Sequence, residues 1–239
     1  MIKTLRNTFK QDKEKFAIPS SVQQAIPIQA IWQDGIFQVG RNKFSKTYKF
    51  TDINYAVAGR EDKETMFLEY SDLLNSFDSG AIIKITINNR RLNKQDFEKT
   101  ILIPMREDGL DLYRKEYNGI LLEKATGANS IIQEKYVTVS VFKKNIEEAR
   151  NYFTRVGTEL VSHFAHLGSK CVEMNAEDKL RALHDFYRTG EETGFHFDLS
   201  ETMKKGHSFK DFICPDSLEF EKDHFKMGTR FGRVLFLRE

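Results

Sequence analysis

A chain of 239 residues, 40% apolar and 30% charged, is long enough for one large core or two small ones, and its mean hydropathy of −0.52 is that of a water-soluble domain. No apolar run approaches the ~18 residues of a membrane span, and the basic start MIKTLRNTFK lacks the apolar segment of a signal peptide. The 37 basic and 35 acidic residues are too evenly balanced to imply nucleic acid without local clustering; two cysteines, Cys171 and Cys214, make no disulfide framework and fit a reduced, cytoplasmic setting.

Residues 1–25 read as a basic amphipathic arm. Ile2, Leu5, Phe9 and Phe16 fall on one helical face among Lys3, Arg6, Lys10, Lys13 and Lys15. Such a segment suits an anionic membrane surface or a protein partner, with Leu5 and Phe9 as contact candidates. Pro19 and Pro27 break any helix before residue 28.

Ile26–Tyr55 predicts a meander of short strands over Ile28–Trp32, Ile36–Val39 and Phe44–Phe50. Asp34-Gly35 and Gly40-Arg41-Asn42 supply the turns, since glycine accepts the positive φ that tight turns need. Period-two alternation puts Phe44, Tyr48 and Phe50 on one strand face and Ser45, Thr47 and Lys49 on the other. Glu61–Phe77 has helical spacing, and Ala81–Asn88 alternates as a half-buried strand ending at Arg90-Arg91. Leu110–Lys124 is helical, and Gln133–Phe142 is a strand. Asn145 and Glu148 have capping-box spacing ahead of a helix bearing Ile146 through Leu167. A short strand over Lys170–Met174 precedes a helix capped by Asn175. Beyond an irregular stretch to Pro215, a hairpin is expected over Leu218–Lys226 and Arg230–Arg238, its last apolar residues forming a buried strand. Ending on such a run fits an N-terminal piece of a longer protein.

This rhythm predicts an α+β fold, mixed antiparallel sheets with packed helices, arranged as two ferredoxin-like halves over 26–126 and 127–239.

Few residue constellations carry chemistry. Gly35 and Gly40 have P-loop spacing, but Arg41 and Asn42 stand where the phosphate-binding Lys and magnesium-binding Ser or Thr belong. His163 and His166 sit three apart with Cys171 downstream, without the second tight ligand pair of a metal site. Cys214 with His207 or His224 could form a nucleophilic pair only through an unseen contact. These patterns give no catalytic, cofactor or metal residue. The cations of the 41–50 hairpin, Arg41, Lys43, Lys46 and Lys49, together with Arg90 and Arg91, lie among aromatics, a pattern that holds single-stranded nucleic acid. If the meander instead offers an apolar face, Trp32 and Phe37 are the contact candidates.

The segments IPIQAIWQDGIFQVG…KFSKTYKFTDINYAV, ITINNRRLN, GANSIIQEKYVTVSV, HDFYRTGEE, FKDFICPD and FGRVLFLRE occur in an order that resembles the N-terminal region of TraE-like conjugation ATPases, in the CagE/TrbE/VirB family of type IV secretion ATPases. The similarity covers essentially the whole chain. It implies a non-catalytic docking and assembly domain, with the ATP- and Mg-binding motor of the parent lying outside this sequence. It further implies inner-membrane channel subunits as partners, self-association into a ring, and a peripheral position at the cytoplasmic face of the cell membrane.

Overall fold

The alternating segment Lys43–Phe50 (β3) forms the centre of the main sheet in the computed structural model, which describes residues 19–53, 55–91, 101–127, 131–191, 194–202 and 204–237. Its even-numbered side chains, Phe44 and Tyr48, enter an apolar core, while Ser45 and Thr47 face the opposite side of the sheet and are also buried. The expected meander is present: β1 (Ala30–Ile31) pairs with β2 (Phe37–Gly40), and β2 with β3, all antiparallel. Gly35 turns the chain between β1 and β2 at φ +79°. The turn lies so close to the Met174 backbone that a Cβ there would come 1.9 Å from the Met174 carbonyl oxygen, so two independent constraints require glycine.

Along its other edge β3 pairs with β5 (Ile131–Phe142), from Lys43↔Phe142 to Phe50↔Lys135. Strand β4 (Ile82–Arg91) pairs with β5 over its whole length, and β6 (Cys171–Glu173) adds to β3 beyond the end of β2. Ignoring the β1–β2 extension, the order is β6-β3-β5-β4, every neighbour antiparallel. Helix α2 (Arg60–Asn75) joins β3 to β4, and α4 (Ile146–His166) joins β5 to β6. This is the β-α-β-β-α-β arrangement of one ferredoxin-like unit. Two such halves were expected; instead β3 and β5, from either side of the 126/127 boundary, lie side by side in one sheet. Helix α3 (Asp111–Gly127), with its flanking segments, is an insertion between β4 and β5, which are the adjacent hairpin strands of that unit.

Helix α4 covers the apolar face because its spacing puts Ala149, Tyr152, Phe153, Val156, Leu160 and Phe164 on one buried stripe. Asn145 caps it as expected, its side chain accepting from the Glu148 N–H at 2.9 Å. Helix α2 lies beside it and contributes Leu73 and Met66 to the same core, joined by Phe77 just beyond its C-terminus. A short helix α1 (Val22–Ala25) precedes β1. On the other face, α5 (Ala176–Tyr187) starts at an Asn175–Asp178 capping box and packs Ala176 and Leu180 into a second core with Ile26, Ile28, Phe37 and Ile213.

The C-terminal region departs from its expected form. After α6 (Leu199–Thr202) and a 3-10 turn (Phe209–Phe212), three short strands, β7 (Leu218–Phe220), β8 (Phe225–Met227) and β9 (Arg230–Gly232), make a separate antiparallel sheet. The predicted long first strand is folded back on itself at residues 221–224. The apolar run 234–237 is not a buried strand: β9 ends at Gly232, and Val234 to Leu237 are 72–103% exposed, with no strand among the described residues paired to them. Among the described residues no helix is long and apolar enough to cross a membrane.

Candidate functional site

The sheet face turned away from α2 and α4 is polar. Register aligns Thr47, Thr138 and Lys84 in one cross-strand row, with Ser45 and Ser140 beside it and Thr86 and Tyr136 on the far side. Thr47 and Thr138 share a hydroxyl hydrogen bond of 2.9 Å. Helix α5 spans this floor but does not seal it. Lys179, Ala182, Leu183, Phe186 and Tyr187, at helical i, i+3, i+4, i+7 and i+8 spacing, line a cavity of about 440 Å³ above the strands. Ile26, Ile28, Phe37 and Val39 close its apolar side.

Lys179 is the unusual member. It is the sole cation on an otherwise apolar helix stripe. Its ammonium donates to Ser45 Oγ at 3.3 Å and lies 4.2 Å from the centre of the Phe37 ring. Burial pushes its pKa from 10.5 down to about 7, with repulsion from Lys84 adding to the effect. A lysine so tuned can gain or lose a proton near neutral pH.

A charged cluster occupies the adjoining part of the same face. Glu134 accepts from Lys49 Nζ at 2.7 Å, Arg90 Nε at 3.0 Å and Tyr136 Oη at 2.9 Å. Burial opposes the Glu134 charge, yet these hydrogen bonds hold its carboxyl below the usual carboxylate range. Asp178, Arg181 and Asp185 of α5 line the same recess of about 300 Å³.

The hairpin cations named from the sequence are therefore scattered. Lys49 and Arg90 come together, but around a shared carboxylate. Lys46 is turned to the opposite face, buried, and bound to Glu173 at 2.5 Å. Lys43 lies 5.3 Å over the Phe142 ring, and Arg41 is exposed at the β2–β3 turn. Arg91 pairs with Ile131 through its backbone, and its side chain lies outside the described residues. The even-numbered spacing of Lys46 from Phe44 and Tyr48 already placed it on the core face; the acid that holds it there is 127 residues away in sequence.

The apolar candidates also separate. Phe37 is fully buried in the second core, which corrects its assignment as a contact residue: its ring packs inward beneath α5. Trp32 is half-buried against the first core, 6.0 Å from Phe44. Leu5 and Phe9 lie outside the described residues. Gly35 and Gly40 belong to a turn and a strand, which point no helix N-terminus at a phosphate. Burial raises the Cys214 thiol, and the Asp211 charge adds to that, the reverse of an activated nucleophile. No cluster of three or more potential metal ligands occurs among the described residues. Sequence reading missed the row Thr47–Thr138–Lys84 and Lys179; the isolated lysine on the apolar stripe of α5 was the available signal. The chain matches no protein-family model and no curated protein.

Proposed function

We propose that this chain is a non-catalytic docking and assembly domain of a type IV secretion ATPase serving conjugative transfer. In that reading the parent's motor, with its ATP and Mg, lies outside this sequence. The domain holds the machine peripherally at the cytoplasmic face of the cell membrane, against inner-membrane channel subunits and neighbouring copies in a ring. Two things support it: the collinear resemblance described above, and an apolar strip where α2 meets the outer edge of β4.

The strip is the observation that carries the reading. Phe67, Tyr70 and Leu74 recur at i, i+3 and i+7 on α2 and are 67%, 41% and 42% exposed. Ile85 and Ile87 of β4 are 46% and 56% exposed. Tyr70, Leu74 and Ile85 line one recess, so the helix and strand contributions are continuous. Among the described strands β4 pairs with β5 alone, leaving a ten-residue edge able to accept another strand. Contiguous apolar surface beside an open sheet edge is the signature of a protein-docking face.

The test is binding of the purified chain to the inner-membrane channel subunits of its own conjugative element, held in nanodiscs. Phe67→Glu with Ile87→Lys is expected to weaken binding at least about ten-fold while the melting temperature stays within a few degrees. Undiminished binding by that variant, or ATP turnover by the purified chain itself, would overturn the reading.

A further inference from the structure

The cavity between the polar sheet face and α5 has an unbalanced charge. Lys179 and Lys84 approach it from opposite walls, one from the helix and one from β4. Neither ammonium has a carboxylate partner among the described residues. Among the described residues the Lys179 ammonium meets a neutral hydroxyl at 3.3 Å and the face of Phe37. Burying a cation without a counter-charge is costly, and a single cation–π contact offsets only part of that cost. Elsewhere on this sheet Lys49 and Arg90 are matched by Glu134, Lys46 by Glu173 and Lys135 by Asp52.

The walls describe what would supply it. Hydroxyls of Ser45, Thr47 and Thr138 lie on the floor, that of Ser45 in contact with Lys179, and Ile26, Ile28, Phe37 and Val39 add an aliphatic and aromatic wall. A volume of about 440 Å³ falls in the range of small-molecule sites. Lys179, Lys84 and the floor hydroxyls supply polar anchors, and Leu183 and Phe186 offer only apolar surface. An inorganic anion would leave that surface bare, and a neutral apolar molecule would leave both lysines uncompensated. We propose that this cavity binds a small amphipathic carboxylate, its head between Lys179 and Lys84 and its apolar body beneath α5. The lowered pKa of Lys179 fits such a site: a bound carboxylate favours the ammonium, so binding above pH 7 draws a proton from solution. The cavity lies on the face of the sheet opposite the apolar strip, so this inference stands or falls separately from the assembly reading.

The test is calorimetric titration of the whole chain with decanoate, decanol and inorganic phosphate. At pH 6.5 decanoate is expected to bind at least about ten-fold more tightly than decanol, as a charge-assisted contact requires, and phosphate to bind more weakly than either. At pH 8 the decanoate heat should change with the ionisation enthalpy of the buffer, reporting proton uptake. Lys179→Met should make decanoate and decanol equal without lowering the melting temperature, since it removes a half-buried charge that has no carboxylate partner among the described residues. Lys84→Met, at an exposed position, should weaken decanoate by about three-fold and serves if the first variant fails to fold. Equal binding of decanoate and decanol by the wild type, unchanged decanoate affinity in the lysine variants, tighter binding of phosphate, or no binding of any probe would each overturn the proposal.

Discussion

Replacing Glu173 by alanine removes the counter-ion of a lysine that the fold holds inside its core face. Lys46 Nζ lies 2.5 Å from Glu173 Oε2, with side-chain exposures of 8% and 45%. On β3 the lysine sits between Phe44 and Tyr48, opposite Val139, with the Tyr48 ring 6.0 Å from its nitrogen. Breaking a fully buried pair by deleting one partner costs about 3–5 kcal/mol. Glu173 is nearly half exposed, so water reaches the vacated position, and the discounted cost of Glu173→Ala is about 2 kcal/mol. Lys46→Met is the informative contrast. It removes the buried charge, keeps the length of the side chain, and leaves the carboxylate where water can hydrate it. Its cost is expected within about 1 kcal/mol of zero. Urea unfolding at pH 7, followed by the fluorescence of Trp32 against the first core, measures both. In the double variant the Glu173→Ala penalty should largely vanish, because no ammonium remains to be stranded. A Lys46→Met cost equal to or above that of Glu173→Ala would refute the argument.

Two further outcomes follow from the same structure. Gly35→Ala places a Cβ against the Met174 carbonyl and a side chain at φ +79°, so left-handed strain and forced backbone displacement together should cost about 3 kcal/mol. Gly35→Asn, which tolerates the φ better, should be nearly as unstable, and a loss below about 1 kcal/mol in both would show that the turn does not bear on the β6–α5 junction. The Lys179 pKa falls on folding, so the unfolded chain binds the extra proton between about pH 7 and 10.5, and the penalty is complete below pH 7. Wild-type stability should therefore rise relative to Lys179→Met from pH 7 to 9, by at most about 1.4 kcal/mol per pH unit; parallel urea-midpoint curves for the two proteins would contradict it.

The local signals in this chain were strong where they concerned one element. Alternation along 43–50, the apolar stripe of 146–167, the asparagines ahead of α4 and α5 and the Asp34-Gly35 turn each act within a few residues, and each produced the element expected of it. Pairing across the chain was not legible in the same way. The sheet joins β3 to β5, some ninety residues on, so two expected halves became one ferredoxin-like unit. The run 234–237 has the composition of a strand, but no strand among the described residues pairs with it.

Charge behaved likewise. The amino-acid sequence determined that a hairpin rich in lysine would form and that alternation would point Lys46 and Lys49 to opposite faces. Only the tertiary structure decided which cations are neutralised, because the carboxylates that meet them, Glu134 and Glu173, arrive on β5 and β6 from far along the chain. The same packing left Lys179 and Lys84 lining one cavity with no carboxylate partner among the described residues. A strand's period fixes the direction of a side chain, whereas its partner depends on register between strands that have no sequence relation to one another.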